Sequence, residues 1–204
     1  MRIFSEAASY EGETEAYQKV LGKVNQRLGI MADSVVEVVY GIPVYHKKGG
    51  ISMKIAQIQS RVYNDKKKNA EQLKLYLEKI KSERPDLVML GEMFNCPYET
   101  KQFPLYAEEE GGETWKMLSH LAKEYRIYLA AGSVPEIAEG KIYNTAYVFD
   151  RNGKQIAKHR KAHLFDIQVE GGQHFKESEI LTAGDKCTVF STEFGKIGLC
   201  ICFD

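Results

Sequence analysis

Three residues that carry reactive side chains each follow a segment with the composition of a strand. Glu92 follows DLVMLG, Lys161 follows KQIAKHR, and Cys202 lies near the end of KIGLCICFD. Catalytic groups often lie where a rigid strand runs into a loop. A thiolate is a nucleophile, a carboxylate can take and return its proton, and an ammonium can stabilise an oxyanion and lower the thiol pKa. The three groups are therefore a sufficient set for attack on an amide.

Each residue also has an ordinary structural explanation, and sequence spacing alone does not show whether the three residues come together. A single glutamate after a strand is commonly a solvated loop residue, and Lys161 lies in a basic run, KHRK, typical of an exposed edge. Cys202, in LCICF, fits a small buried hydrophobe. Cys200 and Cys202 point to one face of a strand, but no second Cys or His pair at ligand spacing supports a zinc site. We therefore predict no metal.

Other motifs have plain interpretations. Cys96 and Cys187 are expected to be structural thiols. The absence of a Gly-x-Ser-x-Gly motif argues against a serine hydrolase. The glycine pairs 111–112 and 171–172 lack the strand–glycine–helix context of a phosphate loop.

The elements that must position these residues fall into two unequal parts. Residues 1–52 are predicted to form a small α+β appendage, with a helix within 14–31 and a strand over 34–40, SVVEVVY. The glycines at 49 and 50 are a plausible linker. Residues 53–204 form the second part, and we expect the appendage to pack weakly on it.

The second part alternates strands and helices. Strands are predicted at MKIAQIQ, at DLVML and at IYLAAGSV, residues 127–134. One helix is capped by Asp65 and carries an apolar stripe, and a second contains Trp115 and Leu118. Two hairpins follow, one turning at residues 150–153 and one around Gly195, whose second strand is expected over 196–203. This order predicts an α/β fold with sheets covered by helices.

Composition excludes several classes of protein. Lys plus Arg and Asp plus Glu number 28 each, so the net charge of zero gives no reason to expect a nucleic-acid or membrane-surface partner. No apolar run approaches the roughly 20 residues that span a bilayer, and the N-terminus lacks the pattern of a secretory signal. Four cysteines in 204 residues indicate reduced thiols in a cytoplasmic protein.

The sequence resembles the nitrilase, or carbon–nitrogen hydrolase, superfamily in three blocks that occur in the family's order. LGEMFNCPY (90–98) resembles the block of the general-base glutamate, HRKAHLFD (159–166) that of the lysine, and GLCICFD (198–204) that of the nucleophile. FNCPYETKQFPLYAE, IYNTAYVFDRNG, KAHLFDIQVEGGQHFKES and LTAGD are similar to the omega-amidase branch. The resemblance runs from residue 53 to residue 204, whereas residues 1–52 match nothing recognised.

The resemblance implies roles for particular residues. Glu92 matches the general base, Lys161 the oxyanion-stabilising lysine and Cys202 the nucleophile of a Glu-Lys-Cys triad, and Glu177 matches a second glutamate that orients the lysine. His163 also lies within the lysine block. The residues expected to contact substrate are Tyr98, Phe165 and Phe203.

The implied activity is hydrolysis of the terminal amide of a small dicarboxylic acid monoamide such as 2-oxoglutaramate, which releases ammonia. A carbamoyl or aliphatic amide substrate, or a non-catalytic remnant, are the alternatives. The family needs no metal or organic cofactor, has an α-β-β-α sandwich fold and commonly forms homodimers.

Two departures from the family pattern affect these expectations. Cys200 stands where the family commonly has a small residue, so it would crowd the nucleophile or pair with it in a disulfide. The family's domain also continues past this block, with a helix whose N-terminal amides favour the thiolate. We therefore expect the N-terminal part of a sandwich, with little amidase activity alone and activity when extended.

Overall fold

The structure, a computed structural model, describes residues 35–39, 42–47, 52–168 and 174–204. Contacts within the chain divide it into two units, Met1–Ile51 with Ser191–Gly198, and Ser52–Phe190 with Leu199–Asp204. No helix in the described ranges has the length and apolarity needed to cross a membrane.

The described part of the first unit contains a hairpin. Val35–Val39 (β1) pairs antiparallel with Ile42–Lys47 (β2), which confirms the strand predicted over 34–40. The helix predicted within 14–31 lies outside the described residues, and so does the expected linker at 49–50. The division into an appendage and a hydrolase domain stays a prediction.

A six-stranded mixed sheet forms the centre of the second unit. Its strands are Ile55–Ile58 (β3), Leu87–Leu90 (β4), Tyr128–Ala130 (β5), Val134–Ala138 (β6), Lys141–Phe149 (β7) and Gln155–Arg160 (β8). Strands β3, β4 and β5 are parallel, whereas the long β7 is antiparallel to β5, β6 and β8. The carboxyl ends of the three parallel strands therefore share one edge, the usual place for a ligand site in such sheets.

Helices cover this sheet. They are Lys66–Ile80 (α1), Phe103–Tyr106 (α2) and Glu113–Tyr125 (α3). The Asp65 side chain caps α1 by accepting hydrogen bonds from the amides of Lys67 and Lys68 at 2.9 and 3.1 Å. Leu77 of α1 and Leu118 of α3 are buried in one apolar core with residues of the sheet. Both predicted long helices and the α/β class are confirmed.

Short strands and turns complete the described chain. Asp166–Gln168 (β9) pairs with His174–Lys176 (β10), and a 3₁₀ turn follows at Glu177–Glu179. Thr188–Thr192 (β11) and Gly195–Leu199 (β12) form the hairpin predicted around Gly195.

Two predicted strands have different bounds in the structure. The segment predicted as one strand over 127–134 ends at Ala130 and resumes as β6 at Val134, because Gly132 adopts a φ of 57° that turns the chain. The buried strand predicted over 196–203 ends at Leu199. The exposure of successive residues alternates along β12, as on a strand with only one face covered.

Gly132 is required where two segments approach closely. A Cβ at this position would lie 2.0 Å from the carbonyl oxygen of Gly91, the residue before Glu92. We expect Gly132→Ala to lower the free energy of unfolding by about 2 kcal/mol, because the side chain adds a clash to an unfavourable φ. Gly140→Ala is the matched control: its φ is 71°, nothing lies within 4 Å, and it should cost about 1 kcal/mol. Equal losses in urea denaturation would contradict this account.

Candidate active site

Lys161 is a fully buried cation that lies between two carboxylates. It directly follows β8, and its Nζ lies 2.9 Å from Oε1 of Glu92 and 2.9 Å from Oε2 of Glu177. Burial alone would lower the pKa of Lys161, but the hydrogen bonds and charges of Glu92 and Glu177 outweigh it and raise the pKa. Lys161 is therefore held as an ammonium.

Glu92 lies two residues beyond β4, at the shared edge of the parallel strands. Its Oε1 accepts hydrogen bonds from Lys161 Nζ and, at 2.8 Å, from Nδ2 of Asn144. Asn144 is buried in β7, and its carbonyl oxygen accepts the backbone N–H of Lys161 at 2.8 Å. Asn144 thus holds both the Glu92 side chain and the backbone of Lys161 in position. The sequence interpretation missed it, although an amide inside the apolar strand IYNTAYVF is a signal.

Glu177 is as deeply buried as Lys161 and uses both carboxylate oxygens. Oε2 accepts the backbone N–H of Phe165 at 2.6 Å in addition to the lysine, and Oε1 accepts the hydroxyl of Tyr98 at 2.7 Å. The backbone N–H of Glu177 donates to the Phe165 carbonyl at 3.1 Å. This arrangement fixes Glu177 against the lysine and away from solvent.

The three aromatic residues expected to contact substrate lie near these groups. The ring of Tyr98 stacks on Phe175 with centroids 5.2 Å apart, and the rings of Phe165 and Phe203 are 5.0 Å apart. Burial and the hydrogen bond to Glu177 raise the pKa of Tyr98, so its hydroxyl remains a donor. Tyr98 therefore supports Glu177, and the role of all three rings in substrate binding stays a prediction.

Cys202 lies in the loop after β12 with a left-handed φ of 51°. Its thiol lies near Glu92, Lys161 and Glu177, whose charges all act on its pKa. Burial and the negative charge of Glu92 raise the pKa of Cys202 to about 11, although Lys161 acts in the opposite direction. The expectation that the lysine lowers the thiol pKa thus describes only one contribution, and a neutral thiol beside a carboxylate is the state at pH 7.

Asp204 is a buried carboxylate to which the sequence interpretation gave no role. Oδ1 accepts the backbone N–H groups of Ala162 and His163 at 2.8 and 2.9 Å. Oδ2 accepts the N–H of Ile201 at 3.0 Å and lies 2.8 Å from Nε2 of His159. Asp204 therefore ties the Cys202 loop to the chain on both sides of Lys161. His163, which lies within the lysine block, contributes its backbone N–H to this junction.

The other cysteines show no disulfide. Cys187 and Cys200 are free thiols of exposed residues, and Cys96 is a buried free thiol. Cys202 is also free, and it is exposed as a residue although its thiol group is partly desolvated. Burial of Cys96 agrees with a structural role, whereas packing gives no support to that role for Cys187. Within the described residues, no group of three or more His, Cys, Asp or Glu side chains could hold a metal ion.

The pKa of Cys202 predicts how fast the thiol is alkylated at each pH. In a Cys200→Ser background, alkylation of Cys202 by iodoacetamide should become about tenfold faster per pH unit from pH 7 towards its pKa near 11, because only the thiolate reacts. The substitution is needed since the pKa of Cys200 is also raised to about 11. Peptide mass spectrometry gives the rates, and a plateau near the ordinary thiol pKa of about 8.5 would contradict the prediction.

Similarity to known proteins shows the family of this chain. Residues 54–204 match the family model of the carbon–nitrogen hydrolases. The chain belongs to the carbon–nitrogen hydrolase family. It is 42% identical over 153 residues to human omega-amidase NIT2, covering 75% of this chain and 55% of that protein. It is 44% identical over 153 residues to nitrilase homolog 2 of Dictyostelium discoideum, covering 74% of this chain and 47% of that protein.

A solved structure shows the same hydrolase fold. Saccharomyces cerevisiae Nit3, a member of branch 10 of the nitrilase superfamily, matches with a TM-score of 0.66 and 38% identity over 74% of this chain and 55% of Nit3. The predicted superfamily and its fold are therefore confirmed. The chain spans about half the length of the curated relatives it matches.

Proposed function

We propose that this carbon–nitrogen hydrolase releases ammonia from the terminal carboxamide of a small dicarboxylic acid monoamide, with 2-oxoglutaramate as the type substrate. One observation carries the chemistry: Lys161 Nζ lies 2.9 Å from both Glu92 and Glu177, and the Cys202 thiol is near enough to all three for their charges to act on its pKa. The similarity to omega-amidase NIT2 supports the substrate class.

In the first half of the proposed reaction, Glu92 takes the thiol proton as Cys202 Sγ attacks the amide carbon. The developing oxyanion is stabilised by the Lys161 ammonium and the backbone N–H of Phe203. Glu92 then gives its proton to the nitrogen, the C–N bond breaks, and ammonia leaves a thioester on Cys202. The raised thiol pKa favours this order, because the thiolate forms only as the proton moves to Glu92.

In the second half, water attacks the thioester while Glu92 takes one of its protons. The second oxyanion uses the same two donors, and its collapse breaks the C–S bond. Glu92 returns the proton to Cys202 Sγ, which restores the thiol and releases the dicarboxylic acid. The ammonium remains charged throughout, since Glu177 holds it from the other side at 2.9 Å.

We also propose that the enzyme is cytoplasmic and forms a homodimer. Cysteines that form no disulfide support the compartment, and the family resemblance supports the assembly. Native mass spectrometry of the purified protein tests the assembly.

Ammonia release from 2-oxoglutaramate and from succinamate tests the function. We expect turnover from the chain extended by the C-terminal half of human omega-amidase NIT2, and about 100-fold less or none from the 204-residue chain, because catalytic groups need supports that hold their positions closely. Cys202→Ala should abolish turnover, whereas the neighbouring Cys200→Ala should retain it.

Each result bears on a different part of the proposal. A folded extended chain that hydrolyses no small amide contradicts the amidase activity. Turnover confined to carbamoyl or aliphatic amides contradicts the substrate class, and turnover that survives Cys202→Ala contradicts the nucleophile.

A further inference from the structure

We infer that this chain has a second binding site, a basic cleft for a small organic dianion at the end of the sheet opposite Glu92. The cleft has a volume of about 430 Å³ and is bounded by the residues that precede β4 and β5. Its lining includes four basic side chains, those of Lys81, Arg84, Arg126 and Arg151, and a single carboxylate, that of Asp86.

Local ion pairs leave part of this positive charge uncompensated. Arg151 pairs with Asp86 at 2.8 Å, and Lys81 pairs with Glu78. Arg84 and Arg126 are exposed and form no salt bridge with any described residue. Two guanidinium groups therefore face solvent at one cleft, and this group is well suited to bind carboxylates and phosphates through paired hydrogen bonds.

The backbone at both arginines strengthens the inference. Arg84 ends the 3₁₀ turn at Lys81–Glu83 with a φ of 50°, and Arg126 ends α3 with a φ of 54°. These are left-handed caps, where glycine is the favoured residue and an arginine is strained. Two unfavourable arginines at equivalent caps beside one cleft suggest that their side chains serve a ligand.

A helix end offers a competing explanation. Basic residues near a helix C-terminus interact favourably with the dipole, so the arginines would then stabilise the fold. The explanations differ in outcome: replacement by glycine lowers stability if the arginines serve the helix ends, whereas it preserves or raises stability if they serve a ligand.

The chemistry of the cleft defines the ligand class. Two uncompensated charges match a dianion, and the cleft also has apolar lining from Ile80, Val88 and Ile127. A short dicarboxylate and a phosphate monoester share this chemistry. The probes are therefore succinate and inorganic phosphate, titrated calorimetrically into the 204-residue chain with the ionic strength held constant by sodium chloride.

We expect saturable binding of at least one probe. Arg84→Gly combined with Arg126→Gly should weaken it about tenfold or more while the melting temperature stays unchanged or rises. Arg84→Lys combined with Arg126→Lys should bind with an affinity between those of the glycine variant and the parent chain, because it preserves the charge but not the paired hydrogen bonds of the guanidinium group. Lys116→Gln, an exposed position of α3 outside the cleft, is the control for loss of charge and should bind like the parent chain.

The outcomes separate the ligand sources and the competing explanation. Binding of succinate alone assigns the cleft to dicarboxylates, and binding of phosphate alone assigns it to phosphate esters. Binding of neither probe overturns the inference, and so does binding that survives in the glycine variant, because that binding lies elsewhere, including at the candidate active site. A lower melting temperature in the glycine variant, together with binding in the lysine variant that is no stronger than in the glycine variant, also overturns it.

Discussion

Replacing Glu177 by glutamine in the extended chain should lower turnover of an omega-amide about 1000-fold while the protein stays folded. The glutamine keeps the shape of the side chain but removes the charge that holds Lys161 from one side at 2.9 Å. Lys161 would then lie closer to Glu92, which weakens Glu92 as a base and displaces the donor from the oxyanion. Loss of one such preorganised donor typically costs about 10²–10³-fold in kcat.

Glu179→Gln is the matched control, because Glu179 is an exposed member of the same 3₁₀ turn. It should leave kcat and KM nearly unchanged. Steady-state kinetics and thermal melting of both variants test whether turnover is lost while the protein stays folded. A folded Glu177→Gln protein with kcat close to that of the parent would show that Lys161 needs no second carboxylate.

Replacing Asp204 by alanine should lower the free energy of unfolding by about 4 kcal/mol. The substitution leaves three buried or half-buried backbone N–H groups without their acceptor, each worth about 1–3 kcal/mol, and removes the partner of His159. Asp185→Ala, at an exposed aspartate, should change stability by less than about 0.5 kcal/mol. Urea denaturation near pH 7 measures both, and similar losses would contradict the assigned role.

The contribution of Asp204 also has a predicted pH dependence. Burial would raise the pKa of Asp204, but the hydrogen bonds from His159 and from the amides of His163, Ile201 and Ala162 outweigh it, so the pKa is lowered. The stabilisation is therefore complete above the unfolded aspartate pKa of about 4 and is lost as the pH falls through the lower folded-state value. The difference between parent and Asp204→Ala should shrink in that acidic range.

Local patterns predicted those parts of the chain that depend on local contacts. The apolar stripe that follows Asp65 predicted helix α1, and the apolar run 86–90 predicted β4. Both predictions succeeded because amphipathic periodicity and burial are visible in the sequence itself. Strand ends were less certain. The break at Gly132 depends on the backbone of Gly91, about 40 residues away in sequence, so a local apolar run did not reveal it.

The same distinction applies to the candidate site residues. Residues within a recognisable motif were predicted, and residues whose role depends on distant partners were not. Resemblance singled out Glu92, Lys161, Cys202 and Glu177 as candidates, and the structure gives the distances that join Lys161 to both glutamates. Asn144 and Asp204 escaped notice because an amide in a strand and a carboxylate after a strand have many uses. Their functions here depend on partners such as Lys161 and His159, which only the folded chain brings close.

The burial of Lys161 has a consequence for the kinetics of folding. Its bond to Glu92 joins residues 69 positions apart, and the Tyr98 bond to Glu177 joins residues 79 apart. Closing such long loops costs entropy before any contact compensates for it, and an ammonium buried before its carboxylates arrive would be strongly unfavourable. Dehydration of the lysine and arrival of both carboxylates should therefore coincide late in folding, after the local helices have formed.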